Sequence, residues 1–138
     1  MVAPLVKAAV ALAGLLAVGR FAFPGALRLA RSWPERVAVT GHSMAPSLLP
    51  GDWLLVDRPG GTPRPVAGEL VVVPDPRQSD RLLVKRVSAV ERGGQLLLRG
   101  DAPDASTDSR TFGAVDPGTV LGRPWFRYWP PGRIGRVG

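Results

Sequence analysis

The chain of 138 residues has no cysteine. Disulfides, thiolate metal sites and a cysteine nucleophile are therefore excluded. It has one histidine, His42, which removes any metal centre built mainly from imidazoles. A Ser-His-Asp triad is left with an unsuitable candidate, because His42 adjoins Ser43 and neighbouring side chains on a turn point apart. Lysine is scarce: Lys7 lies in an apolar N-terminal stretch, so Lys85 is the only lysine of the remaining body. Acidic residues number 11 against 18 basic ones, 16 of them arginine, for a formal charge of +7. The arginines are spread out and form no basic run. They read as a solvated surface, with affinity for anionic lipid before nucleic acid. The length suits one domain, and no cofactor or metal is implied.

An apolar stretch opens the chain, with an uncharged core of 12 residues from Ala8 to Gly19. A membrane span needs about 20 residues, which snorkelling of Lys7 and Arg20 supplies over roughly residues 4–23. Residues 1–23 are thus expected to form a hydrophobic helix that serves as a membrane anchor. Arginines 20, 28, 31 and 36 follow it, which puts the body on the cytoplasmic side; the outward-facing orientation is the alternative. Residues 24–36 read as a basic connector, 37–129 as the folded domain, and 130–138 as a frayed tail. In the domain, strands are expected at Val37–Val39, Trp53–Asp57, Glu69–Val73 (stopped by Pro74 and Pro76), Arg81–Val90, Gln95–Arg99, Thr119–Gly122 and Trp125–Trp129. Gly93-Gly94 turns the fourth onto the fifth. With no amphipathic helix in the body, the fold class is all-β, a small barrel or folded sheet.

Three stretches carry chemistry. In Val39-Thr-Gly-His-Ser-Met-Ala-Pro-Ser-Leu-Leu-Pro-Gly-Asp52, Gly41, Pro46, Pro50 and Gly51 force a tight path between two strands. A serine there displays its hydroxyl and an unpaired N–H, a nucleophile and an oxyanion donor. A plain Pro/Gly turn reads the same until a base for Ser43 is found. The second stretch, Leu83-Val-Lys-Arg-Val87, puts Lys85 on a strand face with Leu83 and Val87. Desolvation there disfavours the ammonium form and makes the amine a competent base near neutral pH. The competing reading is a lysine snorkelling at a sheet edge. The third stretch runs from Arg99 to Gly113. Ser106 is placed to aim the lysine amine, Asp108 and Arg110 to pair, and Asp101 to pair with Arg86. A surface loop of Asx turns is the plain alternative; a calcium loop lacks its terminal glutamate.

Together the three stretches resemble the type I signal peptidase family, serine proteases with a Ser-Lys dyad. The resemblance rests on Gly41-His-Ser-Met-Ala-Pro46 through Asp52, on Val84-Lys-Arg-Val87, and on Gly100-Asp101 with Ser106-Thr-Asp-Ser-Arg-Thr-Phe-Gly113. It implies Ser43 as nucleophile and Lys85 as base, with Ser106, Asp108, Arg110, Gly41, Met44, Pro46, Arg86 and Asp101 in support. Where some members carry a serine as second oxyanion donor this chain has Gly41, and the third stretch reads Asp101-Ala where Asp-Asn is common. The body lacks the large inserted domain of many bacterial members and has no second apolar segment. It resembles the compact mitochondrial inner-membrane peptidases and, more closely, the maturation proteases of nickel-type superoxide dismutase, on the compact body and the ending Leu121-Gly-Arg123, Arg127-Tyr-Trp-Pro130. The implied partner is a protein with an N-terminal leader, either that dismutase precursor or an exported preprotein. Self-cleaving SOS-type repressor peptidases share the dyad, but Pro46 and the Ser106–Gly113 stretch fit them poorly. The non-enzymatic alternative is a basic membrane-binding β-module.

Overall fold

A computed structural model describes residues 34–58 and 64–138. The expected N-terminal helix and most of the connector lie outside the described residues. Among the described residues, seven strands form two antiparallel sheets. The first has the order β1 (Glu35–Ala38), β2 (Trp53–Asp57), β6 (Arg123–Trp129), β7 (Gly135–Arg136). The second has the order β3 (Leu70–Asp75), β4 (Gln78–Val90), β5 (Leu96–Arg99). The expected β class is borne out as a folded pair of sheets, not as a closed barrel. One flank is joined: Val72 N donates to Gly122 O at 2.9 Å and Leu121 N to Val72 O at 2.8 Å. Gly122 permits this closeness, since a β-carbon there would lie 2.5 Å from Val56 Cγ1.

Alternation along β3 explains the layering. Leu70 and Val72 pack between the sheets with Met44, Leu48, Leu54 and Val56. Val71 and Val73 pack on the other face with Leu83, Val87, Leu96, Leu98, Val115 and Val120. With both faces covered, β3 reads as a continuous apolar run, as a doubly buried strand must. The loop from Gly100 to Val120 lies over that second core, held by the Leu96–Val115 bridge.

Four expectations change. The strand does not stop at Pro74: β3 runs to Asp75, whose carboxylate accepts from Arg77 N at 3.0 Å and so builds the hairpin turn into β4. Val72 turns its N–H and C=O away from β4, and Pro74 shares that direction, so the ladder with β4 does not use the proline's missing N–H. Residues 119–122 are no strand; a 3-10 turn, Pro117–Thr119, capped by Asp116, leads into the single bridge at Gly122. The body does hold one helical turn, α1 (Ser109–Phe112), too short for any periodic signal. The segment after Pro130 does not fray. It makes a 3-10 turn, Pro131–Arg133, and returns as β7 against Phe126 and Arg127.

Candidate active site

Ser43 lies on the turn between β1 and β2. Val39 N to Asp52 O at 2.8 Å and Gly51 N to Val39 O at 2.9 Å close its base. Met44 and Leu48 are 1% and 0% exposed; they plug the inter-sheet core and leave the intervening residues outside. Ser43 is half-buried and lines an open groove; Pro46, after a cis peptide bond, is exposed. The Ser43 N–H has no hydrogen-bond partner among the described residues, so it is available as a donor. Gly41 is exposed and supplies no side chain.

Lys85 stands on β4 opposite Val71 of β3, one residue before the stretch that pairs with β5, and its side chain is buried, 2% exposed. Snorkelling is therefore excluded. Burial pushes its pKa down, partly opposed by the Asp108 carboxylate and assisted by the Arg81 and Arg110 charges. Its Nζ donates to Ser106 Oγ at 2.9 Å. An ammonium brings three donors, and this is the one partner the amine has among the described residues. Ser106 Oγ in turn donates to Asp108 Oδ2 at 2.9 Å. A carboxylate only accepts, so the direction of the chain is fixed: amine to hydroxyl to carboxylate. The lone pair of a neutral Lys85 is left unengaged.

Asp108 is fully buried and accepts from Gly100 N at 3.1 Å, Arg110 N at 3.1 Å and Arg110 Nε at 3.0 Å. Burial alone would raise its pKa, but these bonds outweigh it and hold the group well below the usual carboxylate range. Its bond to Arg110 N also caps α1. Asp101 takes two bonds from Arg86, at 2.9 and 2.8 Å, and one from Ser47 Oγ at 2.6 Å. The pairs read from the sequence, Asp108–Arg110 and Asp101–Arg86, are both formed.

Ser43 and Ser106 meet at Gly100. A β-carbon at that position would collide with the Ser106 hydroxyl and lie 2.5 Å from the Ser43 carbonyl oxygen. Ala102 N donates to the same carbonyl at 2.9 Å. The backbone of Ser43 is thus seated beside the hydroxyl that holds Lys85. No hydrogen bond joins Ser43 Oγ to Lys85 Nζ among the described residues. Catalytic contacts often tighten only when substrate is bound.

The groove has a volume of about 370 Å³ and runs along β1, Thr40, Gly41, Ser43 and Met44 on one side and Arg81–Val84 on the other. Both walls are unpaired strand edges. Val39 bonds toward β2, so by alternation Arg36, Ala38 and Thr40 turn their N–H and C=O into the groove. Val72 bonds away from β4, so its partner Val84, and Leu82 with it, do the same.

The sequence, although its motifs include Gly100, Ser47, Asp52 and Arg127, assigns no role in the site to these residues or to Arg133. Asp52 is 1% exposed and accepts from Leu49 N, Arg127 and Arg133. One signal was present: a carboxylate between Leu48-Leu49 and Trp53-Leu54 is bound for the interior and must have partners.

A turn displaying a serine, a buried lysine held by a serine–aspartate pair, and an open groove between free strand edges together form the candidate site. A sequence model of the family described as signal peptidase, peptidase S26, matches residues 5–92. The chain belongs to this family, and it is a peptidase of the class that removes leader peptides. It is 31% identical over 121 residues to mitochondrial ATP-independent inner membrane protease subunit 1b of Arabidopsis thaliana, covering 71% of this chain and 72% of that protein. It is 32% identical over 121 residues to mitochondrial inner membrane protease subunit 2 of Danio rerio, covering 72% and 66%. A shorter match, 43% over 37 residues, is to signal peptidase IB of Staphylococcus aureus, covering 27% and 19%.

Proposed function

We propose that the chain is a serine endopeptidase in which Ser43 attacks and Lys85 is the general base. The observation that carries the reading is the dry amine: Lys85, 2% exposed, is bonded to Ser106 and has its lone pair free. Neutral Lys85 takes the Ser43 proton as Oγ bonds to the scissile carbonyl carbon. The oxyanion forms at the Ser43 N–H. Lys85 then hands the proton to the leaving amine as the C–N bond breaks. Water, deprotonated by the same amine, attacks the ester and releases the new C-terminus. Ser106 holds the amine, and Asp108 keeps Ser106 turned as an acceptor toward it.

The substrate is an extended leader that pairs with both groove edges through its main chain. Membrane association is part of the proposal, supported by the relatives named as inner membrane proteases and by the apolar N-terminal stretch. For the precursor itself, the compact body supports a dedicated maturase acting on nickel-type superoxide dismutase; the signal peptidase IB match supports exported preproteins instead. Co-expression with each precursor decides: trimming of preproteins without trimming of the dismutase precursor removes the maturase reading.

Cleavage of a leader-bearing precursor by wild type, Ser43→Ala, Lys85→Ala and Lys85→Arg tests the dyad. All three variants are expected to lose at least about 1,000-fold in rate, Lys85→Arg because a guanidinium stays charged. Wild-type rates in Ser43→Ala or Lys85→Ala would overturn the mechanism and leave the membrane-binding module standing.

A further inference from the structure

The far limb of the Ser43 turn is held by groups more than seventy residues away in sequence. Asp52 accepts from Arg127 Nη1 at 3.1 Å and from Arg133 Nε and Nη2, each at 3.1 Å. The same guanidiniums donate to the Ser47 carbonyl, Arg127 at 3.1 Å and Arg133 at 3.5 Å. Arg127 Nε also bonds to the Arg133 carbonyl, which ties the two arginines into one unit. On its other side Ser47 donates to Asp101, the partner of Arg86 and hence of the strand that carries Lys85. Residue 47 is therefore gripped from both directions, four positions after Ser43.

We infer that Asp52, Arg127 and Arg133 form a clamp that positions Ser43 against Lys85, so the segment after β6 sets the aim of the nucleophile. The inference rests on the proposed role of Ser43. Geometry favours a working role over a merely cohesive one. The bonds converge on the turn's own Ser47 carbonyl and on the Asp52 carboxylate that accepts from Leu49 N within the turn, while Met44 and Leu48 already bury the turn's apolar side. What the apolar plug leaves undetermined is the slide of the turn along the groove, and the guanidinium pair opposes that slide. Arg127 and Arg133 touch none of the reacting groups; they are positioning residues.

The test compares full-length wild type with Arg127→Ala, Arg133→Ala, Arg133→Gln and Arg133→Lys. The substrate is a quenched-fluorescence peptide with an Ala-x-Ala segment, assayed well below each protein's melting midpoint. Expected is a fall in kcat of about tenfold or more for the alanine variants with KM within about twofold, because small misplacements of a nucleophile act on the chemical step. Arg133→Lys should recover part of the loss and Arg133→Gln less. Folded variants with wild-type kcat, or a loss confined to KM, would overturn the clamp; should an alanine variant not fold, Arg133→Lys and Arg133→Gln are read by the same criterion. Ser43→Ala separates the two ideas: retained cleavage there removes the nucleophile reading, whereas its loss together with unaffected arginine variants removes only the clamp.

Discussion

Of the three carboxylates that lie almost wholly out of water among the described residues, Asp52, Asp75 and Asp108, the two beside the site are satisfied in opposite ways. Asp108 draws its partners from its own loop: Gly100, Arg110 and Ser106 all lie within nine residues of it. Asp52 draws two of its partners from 75 and 81 residues away. The first arrangement stiffens a loop internally and presents Ser106 to Lys85. The second binds the loop that carries Ser43 to the end of the folded chain. The loop that presents Ser106 to Lys85 is thus braced locally, and the turn that carries Ser43 by tertiary contact.

Asp108→Ala is expected to do the most damage. It leaves two backbone N–H groups, the Arg110 guanidinium and the Ser106 hydroxyl without their acceptor, and breaking such a buried pair destabilises by about 3–5 kcal/mol. Chemical denaturation measures the loss, and cleavage should vanish with it because Lys85 loses its orienting hydroxyl. Asp52→Asn keeps one acceptor oxygen but removes the charge. A loss of about 2–3 kcal/mol follows from hydrogen bonds that a charged group no longer strengthens. A larger loss for Asp52→Asn than for Asp108→Ala would reverse the comparison.

Acid sharpens it. Both carboxylates have pKa values held below normal, in each case by hydrogen bonds that outweigh the opposing effect of burial. A depressed carboxylate contributes stability that is present above its unfolded value of about 3.9 and is lost as pH falls through the folded value. Denaturation midpoints followed from pH 7 to pH 2 should fall steeply below about pH 4. The fall should be shallower in Asp52→Asn and in Asp108→Asn, each of which removes one proton uptake.

Lys85 follows the same slope with pH, but its burial costs stability at neutral pH where the two carboxylates contribute it. Its pKa is lowered chiefly by burial, so between the folded and unfolded values the unfolded chain binds more protons and stability rises with pH. Replacing this amine with an isosteric apolar side chain, Lys85→Met, should therefore raise the melting midpoint at neutral pH by roughly 2–8 °C while abolishing cleavage. An unchanged or lower midpoint would mean that the amine is stabilising where it stands. Among the smallest effects expected is that of Arg58→Ala. The Arg58–Glu35 pair is 61% and 49% exposed, and its loss should move the midpoint by less than about 2 °C.

The same division explains what was legible in the sequence. Asp108 and Arg110 are two positions apart, and an Asx turn pairs them by local geometry alone. Lys85 was legible because strand alternation puts it among Leu83 and Val87, and both are buried. The hairpin of β4 and β5 followed from Gly93-Gly94, where Gly94 does adopt φ 85°. Arg127 and Arg133 gave no such signal. They are two of 16 arginines, and which of them reaches Asp52 depends on how β6 crosses β2. Pro74 misled because a proline's missing N–H ends a strand only when it faces a partner, whereas Pro76 does stand in the turn that stops β3. The run Thr119-Val-Leu-Gly122 has strand-like composition, but Asp116 and Pro117 bend it into a turn before it can pair.

The two bare edges that flank the groove hold a further consequence. Most sheet proteins shield such edges, because an unpaired strand accepts any chain that arrives extended. Here the backbone groups of Ala38, Thr40, Leu82 and Val84 stay open beside the serine. Main-chain pairing of this kind is blind to side chains, so admission depends first on whether a polypeptide has a loose stretch to offer. A tightly folded protein has none, and a slack leader ahead of its folded domain has little else.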